Sequence, residues 1–234
     1  MNFKRQITMK KLLSLIVLPL LIASCTININ GGKTVRCTGP VEERAIELTA
    51  DFQAIEINGG FDLKLVDAPC AVAVKANNDA FDYLDIYVRE DGTLVIETKD
   101  HVNIAAEECD FTVSSEKISK LLVNGAVDFE YTCSKEYTEP LNIVVNGAGD
   151  MELEKFIGPA LNVNINGAAD LEITELSTKN LEIAINGAAD VEVAGEADDA
   201  SFTVNGAGAI NATKLVTKNS PKVSTSGLAS VQLN

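Results

Sequence analysis

A six-residue phrase that begins Val/Ile-Asn-Gly-Ala recurs in the second half of this chain, and it constrains the fold more than any other feature. Successive copies stand 22, 20, 20 and 19 residues apart. A fixed step of this size is typical of repeat architectures, in which each unit buries its apolar face only by stacking on its neighbours. The asparagines of the five copies are Asn124, Asn146, Asn166, Asn186 and Asn205.

Each repeat has the pattern of short strands. In residues 159–178, Leu161, Val163 and Ile165 alternate with asparagines, an Asn-Gly pair interrupts the run, and a second alternating run follows. An alternation of apolar and polar residues with a period of two, rich in β-branched residues, predicts half-buried strands. We therefore predict an all-β fold, a single-stranded right-handed parallel β-helix with coils of about 20 residues. The leucine-rich repeat has a similar period, but there the asparagine follows the strand at a different spacing and a helix or loop returns the chain.

The repeated residues have mechanical explanations. Stacked coils lie ~4.8 Å apart, a spacing at which the asparagines can form an amide ladder, each donating to the next. The glycine of the phrase occupies a turn where a β-carbon is disfavoured. A phosphate-binding glycine loop would instead precede a helix and carry a lysine, which the phrase lacks. The predicted turn glycines are Gly125, Gly147, Gly167, Gly187 and Gly206.

The first half of the chain carries the same repeat pattern less regularly. Residues 57–65 match the phrase, and Asn58 precedes Asn124 by 66 residues, which predicts three coils of 22. Asp91-Gly92 predicts a hairpin-type or tight turn. Near the C-terminus, residues 225–230 are a degenerate copy of the phrase, as expected for a terminal coil that must be protected from edge pairing. We predict one head domain over 45–234, irregular over 45–120 and regular over 121–234.

Residues 1–24 are interpreted as a bacterial lipoprotein signal peptide. Four basic residues precede an apolar run, 12–23, that is too short to span a bilayer stably. The run ends in Ile22-Ala23-Ser24-Cys25, which resembles a lipobox. This resemblance implies cleavage before Cys25 and lipid on that residue, which anchors the chain to a membrane without crossing it. The alternative is an ordinary secretory signal with a chance cysteine.

The residues after Cys25 bear on location and partners. Residues 25–44 form the predicted lipidated tether, and Thr26, by the sorting rule of enteric bacteria, implies the outer membrane of a Gram-negative envelope. Whether the chain faces the periplasm or the medium stays open. After cleavage, 15 basic and 34 acidic residues leave a net charge of −19. This charge excludes nucleic acid and anionic membrane surfaces as partners of the domain.

Four cysteines remain after cleavage, and an oxidising envelope allows three full pairings among them. Cys109 and Cys133 stand 24 residues apart, close to one repeat, and strand parity points both into the core. We therefore predict a candidate Cys109–Cys133 disulfide, with buried free thiols as the alternative. No Cys-x-x-Cys motif supports a redox or zinc site.

Acidic residues after each phrase are expected to align as two columns on one face. Like charges ~4.8 Å apart repel by about 0.9 kcal/mol per pair in water before screening, which folding alone does not require. Two interpretations stay open: a solvated face that discourages aggregation, or a strip that binds cations such as Ca²⁺ or docks a basic partner. The strip comprises Asp128, Glu130, Asp150, Glu152, Asp170, Glu172, Asp190 and Glu192.

Catalysis is not expected. His101 is the only histidine, and no nucleophile motif accompanies it. Polysaccharide lyases and hydrolases also use β-helices, so the fold alone does not exclude an enzyme. Their sites need acids together with Lys or Arg, and Lys64 is expected on a coil distant from the strip. No cofactor is predicted.

Residues 52–59 and 91–96, together with the later Asn-Gly-Ala repeats, resemble the head GIN domain family (DUF2807) of auto-transporter adhesins in Bacteroidetes lipoproteins. The resemblance covers roughly residues 45–234. It implies a single-stranded right-handed β-helix with an adhesion role, and it supplies no site residues. Two functional hypotheses follow. One is a lipid-anchored surface that binds an unknown protein or glycan, and the other is a periplasmic structural or signalling module that binds another envelope protein.

Overall fold

The computed structural model describes residues 33–234, so the predicted signal peptide and the lipidation site Cys25 lie outside the described residues. This part of the chain is all-β, with two single-turn 3-10 segments, Asn78–Ala80 and Lys99–His101. None of its helices is long and apolar enough to cross a membrane. In chain order its strands are β1 (Thr34–Arg36), β2 (Val41–Ile46), β3 (Ala54–Val66), β4 (Ala71–Asn77), β5 (Leu84–Val88), β6 (Thr93–Thr98), β7 (Asn103–Ala105), β8 (Cys109–Ser114), β9 (Lys120–Glu136), β10 (Leu141–Thr217) and β11 (Lys222–Leu233).

The repeats stack in parallel and in register. β9 pairs with the start of β10 so that Asn124 lies beside Asn146, and the end of β10 pairs with β11 so that Asn205 lies beside Ser226. β10 is 77 residues long because the backbone stays extended through the Asn-Gly phrases of consecutive repeats. The pairing of Gly206 with Gly227 also confirms that residues 225–230 are a degenerate copy of the phrase.

The structure corrects the predicted spacing of the first half. β3 lies directly against β9, with Asn58 beside Asn124, so the 66 residues between them do not form two intervening coils. The other edge of β3 is covered in two pieces: β6 pairs in parallel with its first part and β8 with its second. Two separate strands, connected by a segment that contains β7, therefore occupy the place of one coil.

Antiparallel pairs complete the first half. β4 pairs antiparallel with both β8 and β2, and β5 forms a hairpin with β6. The hairpin confirms the turn predicted at Asp91-Gly92: Gly92 has a φ of +76°, and the Asp91 carboxylate accepts a hydrogen bond from the Thr93 amide at 3.1 Å. The sheet is thus parallel through the repeats and mixed where β2, β4 and β5 join it.

One continuous hydrophobic cluster fills the interior. The alternation predicted for the repeats holds, because Leu161, Val163 and Ile165 are buried while their asparagine neighbours are partly exposed. Tyr137 extends this core, lying between the rings of Tyr131 and Phe156 at centroid distances of 6.2 and 5.6 Å. The buried side chains therefore fix the face of each strand that points to solvent.

Candidate ligand-binding strip

The asparagine ladder is present and sets the register of the exposed face. Asn146 Nδ2 donates to Asn124 Oδ1 at 2.9 Å, and Asn166 Nδ2 donates to Asn146 Oδ1 at 3.0 Å. The chain of bonds continues from Asn186 and Asn205 at 3.0 Å each. Each amide donates to the preceding rung, the reverse of the predicted direction. Asn58, which accepts from Asn124 at 2.9 Å, adds a rung before the predicted five.

The phrase glycines allow the coils to approach this closely. A β-carbon on Gly147, whose φ is +154°, would lie 1.8 Å from the carbonyl oxygen of Gly125, and one on Gly187 would lie 2.0 Å from that of Gly167. No real β-carbon tolerates such contacts, so the predicted requirement for glycine is confirmed. The close backbone contacts at each phrase glycine hold successive coils in a single register.

That register places the predicted acidic residues in two exposed columns. Asp128 pairs with Asp150 and Glu130 with Glu152, while Phe129 and Met151 between them are buried. Two observations continue the aspartate column. Asp170 influences the ionisation of Asp150, and the Asp190 amide donates to Asp170 Oδ1 at 3.3 Å. All eight predicted strip residues are exposed.

The strip extends beyond the predicted set at its N-terminal end. Asp62 lies beside Asp128 on one side and beside Asp110 on the other, so six aspartates follow one another across the sheet. Lys64 lies beside Glu130, and its Nζ is 3.0 Å from Glu130 Oε2. Sequence analysis missed these residues because their repeat spacing is broken, although the match of residues 57–65 to the phrase was the signal that could have found Asp62.

The charges of the strip act on one another. Partial burial, followed by the negative charges of Asp128 and Asp110, raises the pKa of Asp62 above its ordinary value. Partial burial, followed by the charges of Asp128 and Asp170, likewise raises the pKa of Asp150. Each shift means that the folded protein disfavours the ionised carboxylate, so a positive charge brought to the strip would relieve a repulsion that the fold imposes.

The two columns line an open groove with a volume of about 990 Å³. Ala209 and Asn211 occupy its last rung, where the acidic residues of the columns end. Within residues 33–234, no group of three or more His, Cys, Asp or Glu side chains is arranged to hold a metal ion. The groove is therefore a continuous anionic surface and not a preformed coordination cage.

The predicted Cys109–Cys133 disulfide is not formed in this structure. Cys109 is a free cysteine, and the Cys133 side chain lies outside what the structure describes. The register gives the reason: Cys109 lies level with Phe61, whereas Cys133 lies level with Asp67 on the other side of β3. Six residues of strand separate these levels by about 20 Å, and a disulfide needs Cα atoms within about 7 Å.

The position of Lys64 corrects a second expectation. It lies one rung from the predicted strip and not on a distant coil. It nevertheless stands at one end of the strip, where it forms an ion pair with Glu130 in which both side chains are at least half exposed. A lyase or hydrolase site would need such a cation to converge with acids on a bound sugar. The described residues place Lys64 beside Glu130 and Lys75 beside Asp110, both at the N-terminal end of the row of acids.

A family model described as "Putative auto-transporter adhesin, head GIN domain" matches residues 51–234. No curated protein matches significantly.

Solved structures resemble this fold at low sequence identity. The crystal structure of a "putative adhesin" from Bacteroides fragilis NCTC 9343 is 15% identical and has a TM-score of 0.62, covering 86% of this chain and 100% of its own. A "putative adhesin" from Parabacteroides merdae ATCC 43184, also 15% identical with the same coverage, has a TM-score of 0.40. A "putative cell adhesion protein" from Clostridium sporogenes ATCC 15579 is 14% identical over 84% of this chain and 99% of its own, with a TM-score of 0.36. Only the first supports a shared fold.

Proposed function

This chain belongs to the auto-transporter adhesin head GIN domain family, and we propose that it is a non-enzymatic, adhesin-like protein of the cell envelope. The observation that carries the proposal is the in-register stack, which turns a sequence repeat into a rigid exposed surface of repeated side chains. A surface of this kind suits binding, because identical groups recur at one fixed spacing. Catalysis would need unlike groups that converge on one point.

We propose that the coils wind as a single-stranded right-handed parallel β-helix. The parallel in-register pairing of β3, β9, β10 and β11 supports it, as does the step of 19–22 residues between rungs. Connections between parallel strands of one sheet are right-handed in nearly all proteins, which selects the hand.

We propose lipid anchoring at Cys25 in the outer membrane. The lipobox-like end of the leader supports it. Seven residues, 26–32, lie between Cys25 and the first described residue, Lys33, so this part of the tether spans at most about 28 Å when fully extended. The anchor would therefore keep the domain close to the membrane. Metabolic labelling with a fatty acid tests this step: label in the wild type and none in Cys25→Ser is expected, and label retained in Cys25→Ser contradicts it.

We propose that the ligand of the acidic strip carries positive charge, as a basic protein segment or as Ca²⁺. The raised pKa values of Asp62 and Asp150 support this assignment: after partial burial, their largest cause, the charges of neighbouring aspartates raise both values, and a bound cation would offset those charges. Hard cations such as Ca²⁺ prefer oxygen ligands, which the strip supplies.

A matched pair of triple variants tests the strip. Asp128→Asn/Asp150→Asn/Asp170→Asn removes three charges from it, and Glu139→Gln/Glu182→Gln/Glu196→Gln removes three exposed charges elsewhere. Titrations with Ca²⁺ and with an oligolysine peptide should release heat with the wild type and the control variant but not with the strip variant. No heat with either probe, or equal loss in both variants, contradicts the assignment.

Cell-surface exposure separates adhesion from the periplasmic alternative. Intact cells that carry the full chain should show it labelled by a membrane-impermeant amine reagent, and should lose it when treated with an external protease. Protection in intact cells, together with labelling after lysis, would favour the structural or signalling module that binds another envelope protein.

A further inference from the structure

Cys37 lies at the point where the chain enters the folded domain. It follows β1 directly, and its amide donates to the carbonyl of Ala105 at 2.9 Å, which places it beside the end of β7. The Cys37 side chain is only 3% exposed and belongs to the hydrophobic core. A thiol is thus buried directly after the parallel pair of β1 and β7, which joins the N-terminal segment to the rest of the domain.

Asn77 ties this entry segment to the strand that contains Cys109. Its Nδ2 donates to the carbonyl of Gly39 at 2.6 Å, two residues after Cys37. Its Oδ1 accepts from the amides of Glu107 and Glu108 at 2.8 and 3.3 Å, immediately before Cys109. One buried side chain therefore bridges the two cysteine-bearing segments.

The two thiols share one environment. Cys109 packs against the hydrophobic cluster to which Cys37 belongs. Burial is the largest cause that raises the pKa of Cys109 to about 12, and negative charge on Asp110 and then on Cys37 adds to it. Both cysteines are unbonded in this structure, and the backbone bond from Cys37 to Ala105, with the Asn77 bridge, places their two segments side by side. Cys70 lies apart from this pair: its Sγ is 3.7 Å from the carbonyl oxygen of Phe52 and 3.5 Å from Ser115 Oγ.

We propose that Cys37 and Cys109 form a disulfide in the mature protein, which fastens the entry segment to β8. The inference rests on the proposed envelope location, because disulfides form and persist in oxidising compartments. In the reaction, both thiols lose their protons, one sulfur–sulfur bond forms, and two electrons pass to the disulfide of an envelope thiol oxidant, which becomes a dithiol. The exchange takes place before the core closes, since the thiolate is the reactive form.

The bond would fix the N-terminal part of the domain, which the proposed lipid anchor at Cys25 would hold near the membrane. It closes a loop of about 73 residues that contains β2 to β7, the irregular part of the fold. Closing a long loop removes entropy from the unfolded chain. Because thiols with raised pKa values are poor leaving groups, and because Cys37 is buried and Cys109 partly buried, the disulfide would resist reduction by other thiols.

The test is peptide mapping of the full-length protein from an envelope fraction, lysed in the presence of an alkylating reagent. The expected result is a peptide containing Cys37 joined to one containing Cys109, separated by reduction and still present in Cys70→Ser. Finding both cysteines alkylated, or either one joined to Cys70 or Cys133, overturns the proposal.

Thermal unfolding supplies a second readout. Reduction should lower the melting temperature of the oxidised wild type by roughly 10 °C, and that of Cys37→Ser/Cys109→Ser by much less. No reductant dependence in the wild type overturns the disulfide. Full-length protein made in a reducing cytoplasm and then oxidised with glutathione disulfide separates the two proposals. A bond that forms there but is absent from the envelope fraction refutes the disulfide in cells and also counts against the envelope location.

Discussion

The regular repeats and the irregular first half build the same sheet in different ways. From β9 to β11, each coil is one continuous stretch of chain and lies on the coil that precedes it in sequence. Before β9, the coil under β3 is assembled from two strands, β6 and β8, and antiparallel pairs surround it. Sequence spacing therefore reports spatial neighbours only where the repeat is unbroken.

The closest backbone contacts predict the largest effect. Gly147→Ala should destabilise the protein by about 3 kcal/mol or more, because the new β-carbon would lie 1.8 Å from the Gly125 carbonyl oxygen and the φ of +154° disfavours any side chain. Chemical denaturation measures the free energy of unfolding.

The matched control is Gly60→Ala in the first half. Its β-carbon would have no neighbour nearer than the Ala126 β-carbon at 4.0 Å. Gly60 stands at the rung position that alanine occupies in β9, so this variant should be neutral or more stable by up to about 1 kcal/mol. Similar losses in both variants would show that the corners are not the tightest contacts of the stack.

The asparagine ladder predicts an intermediate effect that depends on position. Asn146→Ala removes a bond given to Asn124 and a bond received from Asn166, and should cost about 1–2 kcal/mol. Asn205→Ala removes the bond given to Asn186, on a rung whose next neighbour is Ser226, and should cost about half as much. Denaturation curves compare the two, and equal losses would mean that the ladder adds little beyond the individual side chains.

The ion pair that joins the two regions predicts a smaller effect. A double-mutant cycle with Lys64→Met and Glu130→Gln should give a coupling energy of about 0.2–1 kcal/mol, in the range of exposed pairs, which falls as salt is added. Zero coupling at low salt would indicate that this exposed ion pair does not form in solution.

The smallest effect is a pH dependence at Asp150. Its pKa is raised in the folded protein, so the folded state binds this proton more tightly than the unfolded chain does. The favourable contribution of the protonated group is complete below its unfolded pKa and is lost as the pH rises through the folded pKa. Asp150→Asn should therefore raise the melting temperature at pH 7 and change it little at pH 3. Equal shifts at both values would exclude an electrostatic origin.

The sequence predicts the regular half well because two periodicities agree there. Alternation identifies the buried face, and the repeat identifies the neighbour above, so the pattern of residues alone places Phe129 and Met151 inside and the acidic columns outside, as observed. The ladder and the glycine corners follow from the same register.

The rest could not be predicted, because it depends on strands distant in sequence. Asn58 and Asn124 are separated by three repeat lengths yet lie on adjacent rungs, since residues 67–119 supply the rung on the other edge of β3 and the antiparallel strands around it. Only the tertiary path brings Lys64 to Glu130, or the segment after Asn77 to Cys37. Cys109 and Cys133 illustrate the error: their spacing matches one repeat, but β3 lies between their strands and their levels along it differ by six residues.

Cysteine cross-linking between β3 and β9 tests whether these two strands stack directly on one another. In full-length Lys64→Cys/Glu130→Cys, the two new thiols would face the same side of adjacent in-register strands, ~4.8 Å apart. Mild oxidation followed by peptide mapping should join residues 64 and 130, and should not join residues 64 and 172 in Lys64→Cys/Glu172→Cys. The absence of the first cross-link, or equal yields of both, would contradict the direct stacking of β3 on β9.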